Sequence, residues 1–219
     1  MADFIPQLQL NGPLVTGPIS ILTDGTALKT RPRINFVSGT GFGITATDDP
    51  TNYKTDITIG STAPGYYGCF YDKTNQTASS TTAAYAFTYN TTDGHNGVNL
   101  ESGSRIKVLH SGTYNLQFSV QFANSNVQIY DADIWLRKNG TDYADSNSQF
   151  SIPNSHGGTN GHLIAALNFY LSLQANDYVE LMWHAYSTNI FAEYIAPQTS
   201  PTRPSTPSII VTINQIANF

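Results

Sequence analysis

The sequence predicts an all-β protein whose main body is an antiparallel jelly-roll sandwich, preceded by a small β module and an extended arm. Three observations carry this expectation. Between His110 and Ala123, the residues Tyr114, Leu116, Phe118, Val120 and Phe122 alternate with Asn115, Gln117, Ser119 and Gln121. Strand side chains point to opposite faces with period 2, so this segment is a strand with one buried face. Similar runs recur to the C-terminus between Gly-, Pro- and Asn-containing turns, and none shows the 3.6-residue period of a helix. Finally, Asn139-Gly140 ends the run Asp131–Lys138, and this dipeptide, which suits the two positive φ angles of a tight turn, is the strongest short hairpin signal in the chain.

Taken in order, residues 1–33 hold Pro6, Gly12, Pro13, Gly17, Pro18, Gly25 and Pro32 between short apolar pieces. Proline removes a donor and glycine lowers propensity, so no helix is expected. An arm that orders against a partner fits better, with Phe4, Ile5, Leu8 and Leu10 as its contacts. Residues 34–62 read as a small β module with strands near 34–37, 42–47 and 55–59, the last two joined at Asp48-Asp49-Pro50. The run Gly39-Thr-Gly41-Phe-Gly43 lacks the following helix that a phosphate loop requires. Residues 61–68 read as a hinge, and 66–219 as the head.

Within the head, strands are expected at Cys69–Asp72, Tyr85–Tyr89, Arg105–Leu109, 113–122, Asp131–Lys138, Leu163–Leu173, Tyr178–Tyr186 and Ile209–Ile216. Residues 142–161 are expected as a polar loop, and Pro197, Pro201, Pro204 and Pro207 mark an irregular crossing. Strand 178–186 is apolar on both sides. Val179, Leu181, Trp183 and Ala185 suit the core, while Tyr178, Met182, His184 and Tyr186 point the other way with Glu180. A strand with one face in water should be polar there, so these residues, with Tyr170 from the preceding strand, are expected to form a subunit interface around a threefold axis.

Composition narrows the function. Charged residues make up 11% of the chain, against about 25% in an average soluble protein; Asn, Ser, Thr and Gln carry the polarity instead. Ten basic and fifteen acidic residues give a net charge of −5, which argues against nucleic acid as a partner. No apolar run approaches the ~20 residues of a membrane helix, and the N-terminus lacks a charged and an apolar region of a signal peptide. The single cysteine, Cys69, permits no disulfide within the chain and reads as a small buried apolar residue.

No catalytic residue is expected. The chain holds no Gly-x-Ser-x-Gly elbow, His-Glu-x-x-His helix or P-loop. His156 and His162 share a Gly-rich loop without a third ligand nearby, which reads as a solvated loop. Asp131 and Asp133 share a strand face with Arg137 and read as a salt-bridged surface. Asp142, Tyr143 and Asp145 fall in the following loop, and Asp142, Tyr143 and His156 are candidate ligand contacts at exposed tips.

Several motifs carry a resemblance. Ser111-Gly112-Thr113-Tyr114 with its alternating continuation, Trp135-Leu136-Arg137-Lys138-Asn139-Gly140, Leu171-Ser-Leu-Gln-Ala-Asn-Asp177-Tyr-Val179 and Ser208-Ile-Ile-Val-Thr-Ile213 follow one another as in the trimeric jelly roll of the C1q/TNF superfamily. The likeness covers about residues 66–216, with Asn176 where that family usually has Gly. It implies a homotrimer, and adds Ca²⁺ as an alternative at the paired aspartates because some trimers of this kind hold it; no other cofactor is expected. Residues 34–60 resemble segments near the shafts and heads of tailed-bacteriophage fibre and virion proteins. Together the two resemblances imply a non-enzymatic virion-surface protein, made in the host cytoplasm. It would be a capsid decoration, cement or head-fibre trimer held by its N-terminal region to the major capsid or tail protein. The alternative is a tail-fibre protein recognising a host-surface glycan or protein.

Overall fold

The computed structural model describes residues 22–23, 26–27, 42–51, 54–61 and 65–218. The arm residues Phe4, Ile5, Leu8 and Leu10 and the strand expected at 34–37 lie outside the described residues. The chain divides into two compact units, Met1–Pro64 and Gly65–Phe219. In the first, β1 (Leu22–Thr23) pairs with β2 (Thr26–Ala27), and β3 (Phe42–Asp49) pairs with β4 (Lys54–Ser61) in an antiparallel hairpin that turns at Pro50. Ile44 lies opposite Ile59 and Ala46 opposite Ile57, so these four share one face. Ile57 and Ile59 stay 39% and 61% exposed on it.

The second unit is an all-β antiparallel sandwich consistent with a jelly roll. Its strands are β5 (Tyr67–Asp72), β6 (Gln76–Thr77), β7 (Tyr85–Ala86), β8 (Thr91–Asn96), β9 (Val98–Glu101), β10 (Arg105–Val108), β11 (Gly112–Asn124) and β12 (Tyr130–Lys138). There follow β13 (Thr141–Asp142), β14 (Ser148–Ile152), β15 (Gly161–Leu173), β16 (Tyr178–Ala185), β17 (Ile190–Ala192), β18 (Gln198–Thr199), β19 (Thr202–Arg203) and β20 (Ile209–Ala217). One sheet runs β13-β12-β16-β10-β9, with β14 also on β12 and β7 also on β16. The other runs β6-β17-β11-β20-β5-β8, with β15 on the free side of β11. The connections β10 to β11, β11 to β12, β14 to β15 and β15 to β16 each change sheet.

Residues alternate as the pattern demands. Along β11, Tyr114, Leu116, Val120 and Phe122 are fully buried and meet Leu181 and Trp183 of β16 in one core. Trp183 is its largest member. Its indole stacks on Phe87 at 5.2 Å and 12°, with Phe122 and Tyr85 tilted against it at 5.9 and 5.8 Å. Tyr114 donates its hydroxyl to the His110 carbonyl at 2.7 Å, and burial pushes that phenol up to about 12. The hairpin at Asn139-Gly140 has φ of 50° and 84°, the two positive angles that this dipeptide tolerates. Asn176 takes φ 73°, a region in which Asn is among the few side chains at ease.

Two expectations about local structure are corrected. Residues 142–161 are not one loop: β14 pairs Tyr130–Ile134 through Ser148–Ile152, and the short alternation Ser148-Gln-Phe-Ser-Ile152 is too polar to announce itself. Residues 94–97, where two glycines in four positions suggest a turn, are mostly strand: β8 runs to Asn96 and β9 starts at Val98, with Gly97 between them at φ 65°.

Candidate functional site

Much of the outer face of β16 is occupied by contacts within its own chain. Tyr178 lies under the Arg105 guanidinium at 4.7 Å. Glu180, 8% exposed, accepts from Ser104 Oγ at 2.7 Å and faces Arg105 Nε at 3.6 Å. Met182 sits between Trp135 of β12 and Ala86 of β7 and is 3% exposed. His184 Nε2 donates to the Thr81 carbonyl at 2.8 Å. Of this set only Tyr186 is substantially exposed, at 48%. Tyr170 belongs to the opposite sheet, because the turn between β15 and β16 changes sheet. Residues 81–87, which bond His184 at Thr81 and pair with β16 at β7, are about a hundred positions away in sequence, so no local pattern reports them.

What lies beside His184 is a groove of about 790 Å³ on the outside of that sheet. β12 contributes Asp133 and Trp135, β16 contributes His184, and the segment after the Asn139-Gly140 hairpin contributes Asp142, Tyr143, Asp145 and Asn147. The register of β12 on β16 places Asp133 directly opposite His184, with Nδ1 3.5 Å from Oδ2. Asp142 Oδ1 accepts from Trp135 Nε1 at 2.9 Å and from Arg137 Nε at 2.8 Å. These bonds hold its carboxyl below the usual range, Arg137 contributing most and Trp135 next. Arg137 therefore pairs with Asp142 and not with Asp131 or Asp133. The Asp133 carboxylate pushes the Tyr186 hydroxyl up, and that phenol is ringed edge-on by His184 at 4.7 Å. Asp131 is engaged by Ser151 Oγ at 2.6 Å.

The groove thus joins residues assigned separately in sequence: Asp142 and Tyr143 as loop tips, His184 as interface, Asp133 as a carboxylate pair with Asp131. Asn147 was missed; its only signal is that it lies in the polar stretch directly after the hairpin. His156 is not part of this site. It sits in a tight turn closed by its backbone bonds to Thr159. His162 pairs with Glu193 at 2.8 Å. Among the described residues no group of three or more His, Cys, Asp or Glu is placed to hold a metal ion, and no helix is long and apolar enough to cross a membrane.

The opposite sheet presents a different surface. Its outer face is built of cross-strand rows: Tyr170–Asn115–Asn214–Tyr67–Asn96, then Asn168–Gln117–Thr212–Cys69–Gly94, then Ala166–Ser119–Ile210–Tyr71–Thr91. No ionisable carboxylate, ammonium, guanidinium or imidazole occurs in these rows. Tyr170 is 67% exposed and Tyr67 48%, with Ile164 and Ile216 flanking at 61% and 51%. Asn168 Nδ2 donates to Asn115 Oδ1 at 2.8 Å. Cys69 lies within this face; burial pushes its thiol up, and Asp93 adds to the shift, so it is a poor nucleophile. At the margin, β15 is a thirteen-residue strand that, among the described residues, is paired on its β11 side alone. It carries no Lys, Asp, Glu or Pro, although Lys138 Nζ reaches the Ser172 carbonyl at 3.1 Å near its end.

Compared with known protein families and with curated proteins, the chain matches none.

Proposed function

We propose that this chain is a non-enzymatic structural protein of a tailed-phage particle, whose head self-associates as a homotrimer and whose N-terminal unit attaches it. The observation that carries the reading is the set of three uncharged rows on the outer face of the β11-containing sheet, bordered by Lys73 over the Tyr71 ring at 5.3 Å and by Asp93 near Cys69, and continuous with the β15 edge, which has no second strand partner among the described residues. A long edge strand without charge or proline pairs readily with other chains unless something covers it. An outer sheet face built of Asn, Gln, Thr, Ile and Tyr desolvates at low cost compared with one bearing charges. The three rows span roughly 500 Å², the same order as the ~800 Å² per partner of a specific interface. Self-association through this face replaces the β16 face as the proposed contact. The hairpin β3–β4 supports attachment: two strands alone are marginal in water, and the Ile57 and Ile59 face needs a cover.

The test has two parts. Sedimentation of the full chain at micromolar concentration should give three times the monomer mass; a monomer sinks the trimer. Antibody labelling of particles should place the protein on the head shell. Label confined to the tail would favour the second reading, recognition of a host-surface glycan or protein. That reading is favoured by the groove on the sheet facing away from the proposed contact.

A further inference from the structure

We propose that the groove between Asp133 and Asn147 binds a neutral saccharide; this rests on the second reading, that the head recognises a host-surface ligand. Four features of the groove specify that ligand class.

Its volume, about 790 Å³, falls in the range of ligand clefts, roughly 300–1,000 Å³, and suits a few sugar rings. It is lined by two aromatic side chains, Trp135 and Tyr143, the latter 40% exposed. The Trp135 indole N–H is already tied to Asp142. Its ring is thereby fixed before any ligand arrives, and a preorganised aromatic surface loses little entropy on binding. The π face of an aromatic ring is electron-rich and attracts the weakly positive C–H face of a pyranose.

Hydrogen-bonding capacity is present and unspent. The side chains of Asp145 and Asn147 make no hydrogen bond or ion pair among the described residues, nor does the Tyr143 hydroxyl. They supply a carboxylate acceptor, an amide that both donates and accepts, and a phenol that does either. Sugar hydroxyls need this mixture, since each is donor and acceptor at once.

Charge excludes the neighbouring ligand classes. Asp142 is balanced by Arg137 at 2.8 Å. Asp133 is engaged by His184 and Tyr186. Among the described residues, Asp145 is the one groove carboxylate without such a partner. With Asp133 it makes the groove unfavourable for sulfated or sialylated chains. A single solvent-exposed carboxylate gives a cationic peptide little, because exposed ion pairs contribute about 0–1 kcal/mol.

The chain supplies its own reporter. Of its two tryptophans, Trp135 lines the groove and Trp183 is buried in the core at 1% exposure. Titration of the full chain with neutral oligosaccharides (glucan, mannan, galactan and N-acetylglucosamine oligomers of two to six units) should shift tryptophan emission. Trp135→Phe removes the reporter together with the indole, so its binding is read by isothermal titration calorimetry, where affinity should fall at least tenfold. Tyr143→Ala and Asp145→Ala, both at exposed positions, should weaken binding at least tenfold while the melting temperature stays within a few degrees of the parent. No binding of any neutral saccharide by a chain that still adheres to host cells overturns the proposal and leaves receptor recognition standing. Failure to adhere to any host cell overturns both. Binding of sulfated, sialylated or oligolysine probes in preference to neutral ones also overturns the proposal, as does saccharide binding unaffected by all three substitutions.

Discussion

Changing Gln117 to Glu tests the self-association face with a single atom's worth of chemistry. Gln117 is exposed, lies in the middle row one position in from its β15 end, and has Asn168 and Thr212 as its cross-strand neighbours. The replacement keeps shape and volume and adds one negative charge, with no cation in the three rows to pair with it. On a free head, a surface change of this kind stays within about ±0.5 kcal/mol. In a subunit contact the carboxylate loses water without gaining a partner, which costs several kcal/mol. Taking about 3 kcal/mol per contact, association weakens roughly 150-fold for each interface, enough to turn a micromolar trimer into monomers. Sedimentation velocity measures the mass, and thermal unfolding at low concentration confirms that the fold is intact. Acid supplies a sign test. Desolvation raises the pKa of a buried carboxylate above its ordinary value near 4.3, so the trimer should reform as pH falls through that raised value. Gln117→Met, apolar and similar in size, should leave the trimer in place. An unchanged trimer mass for Gln117→Glu at neutral pH would refute the assignment of this face.

Other predictions concern the head itself. Trp183→Ala removes the largest core side chain and its contacts with Phe87, Phe122 and Tyr85; a loss of about 3–5 kcal/mol should lower the melting midpoint by about 10 °C. Tyr89 keeps a buried hydroxyl without a hydrogen-bond partner among the described residues, so Tyr89→Phe should leave stability unchanged or raise it by about 1 kcal/mol, read by urea unfolding. For Asp177, burial pushes the carboxyl up, but bonds from Lys138, Asn139 and the Gln174 amide together outweigh it and hold it below its ordinary value. A depressed carboxylate stabilises above its unfolded pKa and loses that contribution as pH falls through the folded one. Asp177→Asn should therefore cost about 1–2 kcal/mol at pH 7, and its unfolding curve should converge on the parent's below pH 4.

Much of the fold is legible in the sequence because burial writes itself as period 2. β11, β12, β15 and β20 alternate cleanly, and the turns at Asn139-Gly140 and Asn176 follow from which residues accept positive φ. What was not legible depends on pairing between distant strands. β14 is too short and polar to declare a strand, yet it completes an edge on β12. The apolar outer residues of β16 read as interface because nothing local shows that residues 81–87 meet that strand. The groove has the same character: Asp133 and His184 are brought together only by the register of β12 on β16, and Asp142 reaches Trp135 only after the hairpin folds back. Each residue was visible; their adjacency was a property of topology.

The pairing of β5 with β20 has one more consequence. Tyr67 lies opposite Asn214, and the Gln215 amide donates to the Tyr66 carbonyl at 2.8 Å, so the head's first strand begins where its last one ends. The loops at the other end, around Asn126, Ser155 and Asn189, are stitched to one another by backbone bonds and carry no covalent traffic in or out of the unit. Joining residues 65 and 218 by a short linker and reopening the chain within 125–129 should leave the sandwich intact.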